Sequence, residues 1–375
     1  MFLSWRDTDN PEAGGAERYL EKMAQGLHQA GARVTVFSAA SDAPASEVRD
    51  GITYRRAGGK LGVYPRAMLA LATGRLGHPD IVIDVQNGLP FFSRMVTRRP
   101  VVVLVHHVHR EQWPVVYPGL TGRIGWWVER WFAPRLYRKD QYVAVSRATR
   151  SELAALGVDP QRVAVVHNGT DPAPPTTIKK TAHPSVCVVG RLVPHKQVEH
   201  AIDAAIELRR ECPTLTLDVV GGGWWSEHLA DYVAARNAGD FVRLLGHVSE
   251  QEKQAVYARS WLMLLPSLKE GWGLVVGEAA MHSTPTIAYR AAGGTTESIK
   301  DGHSGVLVDS YAELRDATAH LLRDETSRLQ LGAGALALSH EYTWEHGQES
   351  FTAVVTSTLA GRTISAEDPP APDGD

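Results

Sequence analysis

Cysteine is almost missing from this chain: Cys187 and Cys212 are the only two thiols in 375 residues. Two thiols make neither a disulfide framework nor a four-ligand metal site. A hydrophobic core must therefore supply the stability, and a reducing cytosol is the expected location. Long apolar runs are missing too. The longest strand-like run is Val101–Val105, far short of the ~18–20 residues that cross a bilayer. The first residues, Met1-Phe2-Leu3-Ser4-Trp5-Arg6, lack the basic and long apolar parts of a signal peptide. There is no overall positive excess, since the net charge is −3. With no nucleic-acid-binding motif either, nucleic acid is not an expected partner.

What is present is a soluble globular balance, 43% hydrophobic and 22% charged, on a chain long enough for two domains of roughly 170–200 residues. Charge is unevenly shared. Residues 1–171 carry 22 Lys+Arg against 16 Asp+Glu, a net +6, and the remainder is net −9. The excess is sharpest in residues 94–150, with 11 basic and 3 acidic side chains. Such a face suits an anionic partner or is simply solvated.

Helical and β-branched stretches alternate through both halves. Leu20–Ala30 reads as a helix stopped by Gly31, followed by strands at Val34–Ser38, Ile81–Val85, Val101–Val105 and Tyr142–Val145. The first strand has little room before the first helix. Clustered prolines at Asp171-Pro172-Ala173-Pro174-Pro175 interrupt the pattern, which restarts at the strand Ser185–Gly190 and the helix Val198–Arg210. Further strands are expected at Leu215–Val220, Val242–Leu244, Leu262–Leu265, Thr286–Ala288 and Val306–Val308. The fold class is α/β, two doubly wound parallel-sheet domains of the Rossmann type. The expected organisation is a first domain over 1–171, a linker over 172–184 and a second domain over 185–340. A helix over 341–361 and a disordered acidic, Pro-rich tail over 362–375 complete it. In sheets of this kind ligands sit beyond the carboxyl ends of the strands, so the chemistry belongs in the loops after strands and in a cleft between the domains.

Three such loops stand out. The first is Leu264-Leu-Pro-Ser-Leu-Lys-Glu-Gly-Trp-Gly-Leu-Val-Val-Gly-Glu278. A strand end leads into Glu270-Gly271-Trp272-Gly273, then a helix carrying Leu274, Val275 and Glu278. Glycines admit a ligand close to the backbone, a helix start favours phosphate, and the two carboxylates can accept hydrogen bonds from sugar hydroxyls. With 42 acidic residues in the chain the spacing alone carries little; its position after a strand end carries the argument. The second loop, Gly190-Arg191-Leu192-Val193-Pro194-His195-Lys196, offers two cations that would stabilise a departing diphosphate. The third, Asn10-Pro-Glu-Ala-Gly14-Gly15-Ala-Glu-Arg18, opens a helix and is weak as a bare motif. Gly222, within Gly221-Gly222-Gly223, and His247 follow strands of the second domain. His106, His107 and His109 follow the strand Val101–Val105; without nearby carboxylates, a metal is the minor reading.

The Glu270…Glu278 block resembles the Glu-x7-Glu signature of the group 1 glycosyltransferases, also called glycosyltransferase family 4, and the resemblance covers about residues 2–355. It implies the GT-B fold, two Rossmann-like domains facing across a cleft with the last helix crossing back to the first domain. It also implies retention of anomeric configuration. By position, Glu270 would contact the donor sugar and Glu278 the ribose. The amides of Gly273, Leu274 and Val275 would hold the diphosphate or sugar, and the side chains of Arg191 and Lys196 would bind the diphosphate. Gly14 and Gly15 would face the acceptor and the donor phosphates, and His106 the donor sugar, with His107 its rival. Gly190, Gly222, His247, Gly271 and Trp272 complete the expected donor surroundings. Lys196-Gln197 stands where Lys-Gly is usual, and Ser283-Thr284-Pro285 where Gly-x-Pro is common. The implied reaction passes a hexose from a UDP- or GDP-sugar to a hydroxyl acceptor, with no metal and no further cofactor. The acceptor is a carbohydrate, lipid-linked or small-molecule hydroxyl. An epimerase or hydrolase on the same scaffold, or a non-catalytic nucleotide-sugar-binding subunit, are the rivals.

Residues 113–139 interleave Trp113, Tyr117, Trp126, Trp127, Trp131, Phe132 and Tyr137 with Arg123, Arg130, Arg135, Arg138 and Lys139. Peripheral contact with an anionic membrane, a sugar-binding acceptor wall and plain helix packing all fit this composition.

Overall fold

Parallel strands covered on both faces must be apolar throughout, and the central strands of both halves are. In the computed structural model, which describes residues 1–369, the chain forms two units. One comprises Met1–Gly169 with the chain from Trp344 onward, the other Thr170–Thr343.

The first unit carries β1 (Phe2–Leu3), β2 (Thr35–Ser38), β3 (Ser46–Arg49), β4 (Ile52–Arg56), β5 (Val82–Gln86), β6 (Val101–Val105), β7 (Gln141–Ala144) and β8 (Val163–Val165). Their order is β3-β4-β2-β1-β5-β6-β7-β8. Every pairing is parallel except β3 with β4. The two residues of β1 are fully buried between β2 and β5, so the short first strand is central. The β3–β4 hairpin and β8 are additions to the expected strands. The hairpin turns at Asp50-Gly51, both at positive φ (50° and 77°), as a two-residue turn of this hand requires.

The helix Trp344–Leu359 belongs to this unit and packs on Gly15–Gln29. A Cβ at Gly26 would lie 2.5 Å from the side chain of Gln348; the missing methyl lets the helices approach. Gln348 then donates to the Lys22 carbonyl at 2.8 Å, and Phe351 stacks on Phe2.

The expected disorder of the tail is corrected for residues 362–369; residues 370–375 lie outside the described residues. β8 is an edge strand, and its open backbone groups bind the returning chain. Val165 donates to the Ala366 carbonyl and Asp368 to that of Val165. The Gln141 amide exchanges two hydrogen bonds with the backbone of Ile364. His167 bonds Asp368, and Arg147 bonds Glu367. Acidic composition predicts solvation, but these carboxylates have cationic or imidazole partners.

The second unit is a six-stranded parallel sheet in the order β11-β10-β9-β12-β13-β14. Its strands are β9 (Ser185–Val189), β10 (Thr216–Val220), β11 (Val242–Gly246), β12 (Leu262–Leu265), β13 (Thr286–Tyr289) and β14 (Gly305–Val308). The last part of the expected linker is pinned to this unit: Thr181 donates to the Arg259 carbonyl, and Trp261 Nε1 to that of Thr181. Ser283 sits at φ +52°, the left-handed region in which glycine is favoured. The strand order reverses within each sheet, between β1 and β5 in the first unit and between β9 and β12 in the second, while the strands there stay parallel. Such switch points open a crevice at the carboxyl end of the sheet.

Candidate functional site

The loops after β9 and β12 flank the switch point of the second unit, and one ion pair joins them. Lys196 Nζ lies 2.5 Å from Glu270 Oε1, with the two side chains 19% and 10% exposed. Backbone geometry sets both ends. Lys196 closes a single helical turn, Pro194–Lys196. Glu270 is locked from behind, its amide donating to Ala292 and its carbonyl accepting from Gly294. A Cβ at Gly294 would fall 2.0 Å from the Gly271 carbonyl, so only glycine allows this docking. Gly190, Arg191, Lys196 and Ser267 line a common crevice there. Ser267 Oγ is buried without a hydrogen-bond partner.

Gly273 takes φ 89° as it opens the helix Leu274–Ala280, a conformation that favours glycine. The Trp272 ring is 4% exposed and meets Tyr342 edge-on at 4.8 Å. It anchors the turn. Glu278 makes a second cluster. Its Oε2 accepts from Tyr257 Oη at 2.8 Å and from Lys253 Nζ at 3.0 Å. Burial alone would lower the Lys253 pKa, but the charges of Glu278 and Glu250 outweigh it and raise it. Burial, then Glu278, holds the Tyr257 hydroxyl well above its usual range. The hydrogen bonds and ion pairs of Glu278 run to Tyr257 and Lys253 and not to Lys196 or Glu270. The expected four charges thus form two clusters, with Arg191 beside the first. Gly222 and His247 are neighbours: a Cβ on Gly222 would fall 2.4 Å from the imidazole.

Sequence reading missed Lys253, Tyr257 and Ser267. Lys253 and Tyr257 lie on the helix Glu250–Arg259, where a lysine and a tyrosine have no distinguishing pattern. Ser267 had one signal, its place directly after a strand-ending proline.

In the first unit, His106 follows β6 and is 5% exposed. Its ring meets Tyr19 edge-on at 5.4 Å, and its Nε2 has no partner. Burial, helped by His109, pushes its pKa down to about 3, so the imidazole is neutral. His107 Nε2 pairs with Gln112, and His109 Nδ1 with Glu129. These histidines do not gather into a ligand set. Among the described residues the one group spaced for a metal is His167, Glu367 and Asp368, and Arg147 engages Glu367 there. The Gly14 amide donates to Glu17 at 2.8 Å, which also accepts from Arg6, so the start of the helix at Gly15 is partly capped from within.

Two family models cover most of the chain. Residues 173–336 match glycosyl transferases group 1, and residues 13–174 match glycosyltransferase family 4. The chain belongs to the group 1 glycosyltransferases. Among its relatives is a D-inositol 3-phosphate glycosyltransferase of Nocardioides sp., 29% identical over 89% of this chain and 83% of the relative. Another, of Salinispora tropica, is 28% identical over 89% and 79%. Among solved structures, sucrose-phosphate synthase of Thermosynechococcus elongatus superposes with TM-score 0.80 at 19% identity, covering 96% of this chain and 98% of that one. WaaG, a glycosyltransferase of lipopolysaccharide biosynthesis, gives 0.73 at 15% identity over 96% and 99%. Anabaena HepE in complex with UDP-glucose gives 0.74 at 18% identity over 95% and 98%. As in other group 1 glycosyltransferases, the architecture is GT-B, built from two Rossmann-like units. No helix among the described residues is long and apolar enough to cross a membrane.

Proposed function

We propose that this glycosyltransferase transfers a hexose, with retention and without a metal, from a UDP- or GDP-sugar to a hydroxyl acceptor. The observation that carries the reading is the Lys196–Glu270 pair bridging the switch point of the second unit. A paired cation and carboxylate at that place offer a diphosphate a counter-charge and a hexose an acceptor of hydroxyl hydrogen bonds. Lys196 and Arg191 neutralise the diphosphate as the bond between the anomeric carbon and its phosphate oxygen breaks. That charge grows toward the transition state, so the cations favour it over the ground state. Glu270 orients the hexose, and Glu278, held by Tyr257 and Lys253, receives the ribose hydroxyls. The first-turn amides of the helix at Leu274 face the diphosphate with their positive dipole ends.

The acceptor oxygen attacks the anomeric carbon on the face the diphosphate leaves, and the leaving phosphate oxygen takes its proton. No carboxylate nucleophile is required. The first unit receives the acceptor, and the neutral His106 offers its unpartnered Nε2 to a sugar hydroxyl. The UDP-glucose complex of HepE, a structural neighbour, supports trying uridine donors first. The relatives named for D-inositol 3-phosphate support including phosphorylated polyols among the acceptors.

Thermal shift against UDP-, GDP-, ADP- and dTDP-sugars tests the reading. A donor at about 100 times its Kd should add roughly 2.7 kcal/mol of stability. Lys196→Ala and Glu278→Ala should each remove most of it; unchanged donor affinity in both overturns the site. Rapid epimerised product from donor alone would instead favour an epimerase. Donor binding without turnover over a broad acceptor panel would favour a binding subunit.

A further inference from the structure

The helical segment running from Leu120 to Leu136 in the first unit presents an outer face that the proposed donor site does not include. It comprises an α-helix over Leu120–Trp127, a π turn over Val128–Phe132 and a last α turn over Ala133–Leu136. Leu120, Ile124, Trp127 and Trp131 recur at intervals of four, three and four, which places them on one stripe. They are 69%, 54%, 52% and 46% exposed. The stripe is ordered: Trp127 stacks on Trp131 at 5.3 Å and on Phe132 at 6.1 Å. The wider π turn, with its i→i+5 bonding, keeps the fourth and fifth residues on the same side. Gly122, Gly125, Glu129 and Ala133 form the buried side.

Charge on this segment is sorted by sign. Arg123, Arg130, Arg135, Arg138 and Lys139 are all exposed. Glu129, the only acid from 112 to 139, is 1% exposed. Its carboxylate is turned inward, accepting from Trp113 Nε1 at 2.6 Å and from the His109 amide at 3.1 Å. Arg135 lies over the Trp131 ring at 4.2 Å, extending the apolar stripe with its stem. Within residues 112–139 the solvent therefore meets an apolar stripe whose exposed charges are all positive.

The geometry points to a docking surface for an anionic phospholipid bilayer, with Trp127 and Trp131 seated at the headgroup level and the arginines on the phosphates. Indole rings suit that boundary, apolar in body and polar at one nitrogen, and basic groups beside them add attraction to anionic lipid. A nucleic acid would use the cations and the indoles but would gain nothing from Leu120 and Ile124. Burying either aliphatic side chain against phosphate and sugar is unfavourable. The inference stands apart from donor binding, because none of these residues belongs to the proposed donor site.

Co-flotation with vesicles tests it on the full chain. Vesicles with about a third phosphatidylglycerol in phosphatidylcholine should bind the protein at low salt, with blue-shifted tryptophan emission. Phosphatidylcholine alone should bind about ten-fold less, and high salt should release the protein. The pair Trp127→Ser with Trp131→Ser, and the triple Arg123→Glu, Arg130→Glu, Arg135→Glu, should each lower binding about ten-fold or more. Both should keep the parent melting temperature and uridine-diphosphate binding, since every substituted side chain is exposed. Equal binding to both vesicle types, or full binding by both variants, overturns the proposal. So does a dimer in sedimentation velocity that Trp127→Ser with Trp131→Ser turns into monomer while the parent ignores vesicles. In that case the stripe is a contact between copies.

Discussion

Both units place charged groups in the loops that follow their central strands, but they use them differently. In the second unit the pairs are partly open: Lys196 is 19% exposed and Glu278 25%. In the first unit the innermost pairs, Arg56–Asp7 and Arg6–Glu17, are sealed. The Arg56 side chain is fully buried and holds the buried Asp7 at 2.6 Å, together with the partly exposed Asp9 and Glu47 at 2.6 and 2.7 Å. Arg6 binds the buried Glu17. These bonds fix the loop between β1 and the helix at Gly15, and Ser38 adds a hydrogen bond to Asp7. The Lys196–Glu270 pair keeps both partners within reach of solvent at a switch point, as a ligand-binding pair must. Where both partners are closed off, as in Arg56–Asp7, the pair is a strut.

Breaking the strut should have the largest effect. Arg56→Met leaves the buried Asp7, and Glu47, without their cation, while Asp9 keeps Arg49, and should destabilise the fold by about 3–5 kcal/mol. Denaturant unfolding would read this as a lower midpoint, with donor affinity in the folded protein unchanged. A loss of donor affinity at full stability would erase the contrast between the units. Next comes Glu270→Gln, which keeps the shape of the pair and removes its charge. Turnover should fall about 100-fold through lost positioning of the hexose, while the melting temperature without donor barely moves. If stability drops and turnover does not, the second unit's pair is also a strut.

His106 gives a pH test of the first unit. Its folded pKa is depressed from 6.5 to about 3 by burial and then His109. Its favourable contribution is therefore present above pH 6.5 and is lost as pH falls toward 3, because the unfolded chain takes up a proton that the folded one refuses. Over that window the loss is about 1.4 kcal/mol per pH unit. Unfolding of His106→Gln across this range should lack that component of the slope; an unchanged slope would mean the ring is hydrated in solution. The smallest expected effect is that of Tyr257→Phe, which removes one hydrogen bond to Glu278 while leaving Lys253 in place. Donor KM should rise about five-fold, equivalent to roughly 1 kcal/mol, with kcat held.

Much of the fold was legible. β6 reads as a continuous valine run because a central parallel strand is apolar on both faces. The restart at Ser185 and the helix from Val198 follow the same periodicities. The β3–β4 hairpin was missed although Asp50-Gly51 is a strong turn signal, because β3 is half-exposed and polar. The tail was misread because composition reports only the chain's own tendency, and an edge strand supplied partners from 200 residues away. In the site, the family signature singled out Lys196, Glu270 and Glu278. Trp272, in the middle of that signature, proves to be a buried anchor by its ring.

The sequence by itself determined the two parallel sheets, the glycines at which loops must turn, and the charged residues that the family signature contains. Those are matters of local pattern and backbone sterics. Only the tertiary structure decided which charges meet. Strand order brings the loops after β9 and β12 together across a switch point, and so pairs Lys196 with Glu270. Helix packing gives Glu278 its partners Lys253 and Tyr257, and turns Glu129 inward while leaving Trp127 and Trp131 in solvent. Coulombic and hydrophobic energies depend on distance through space and on exposure, and neither can be read from separation along the chain.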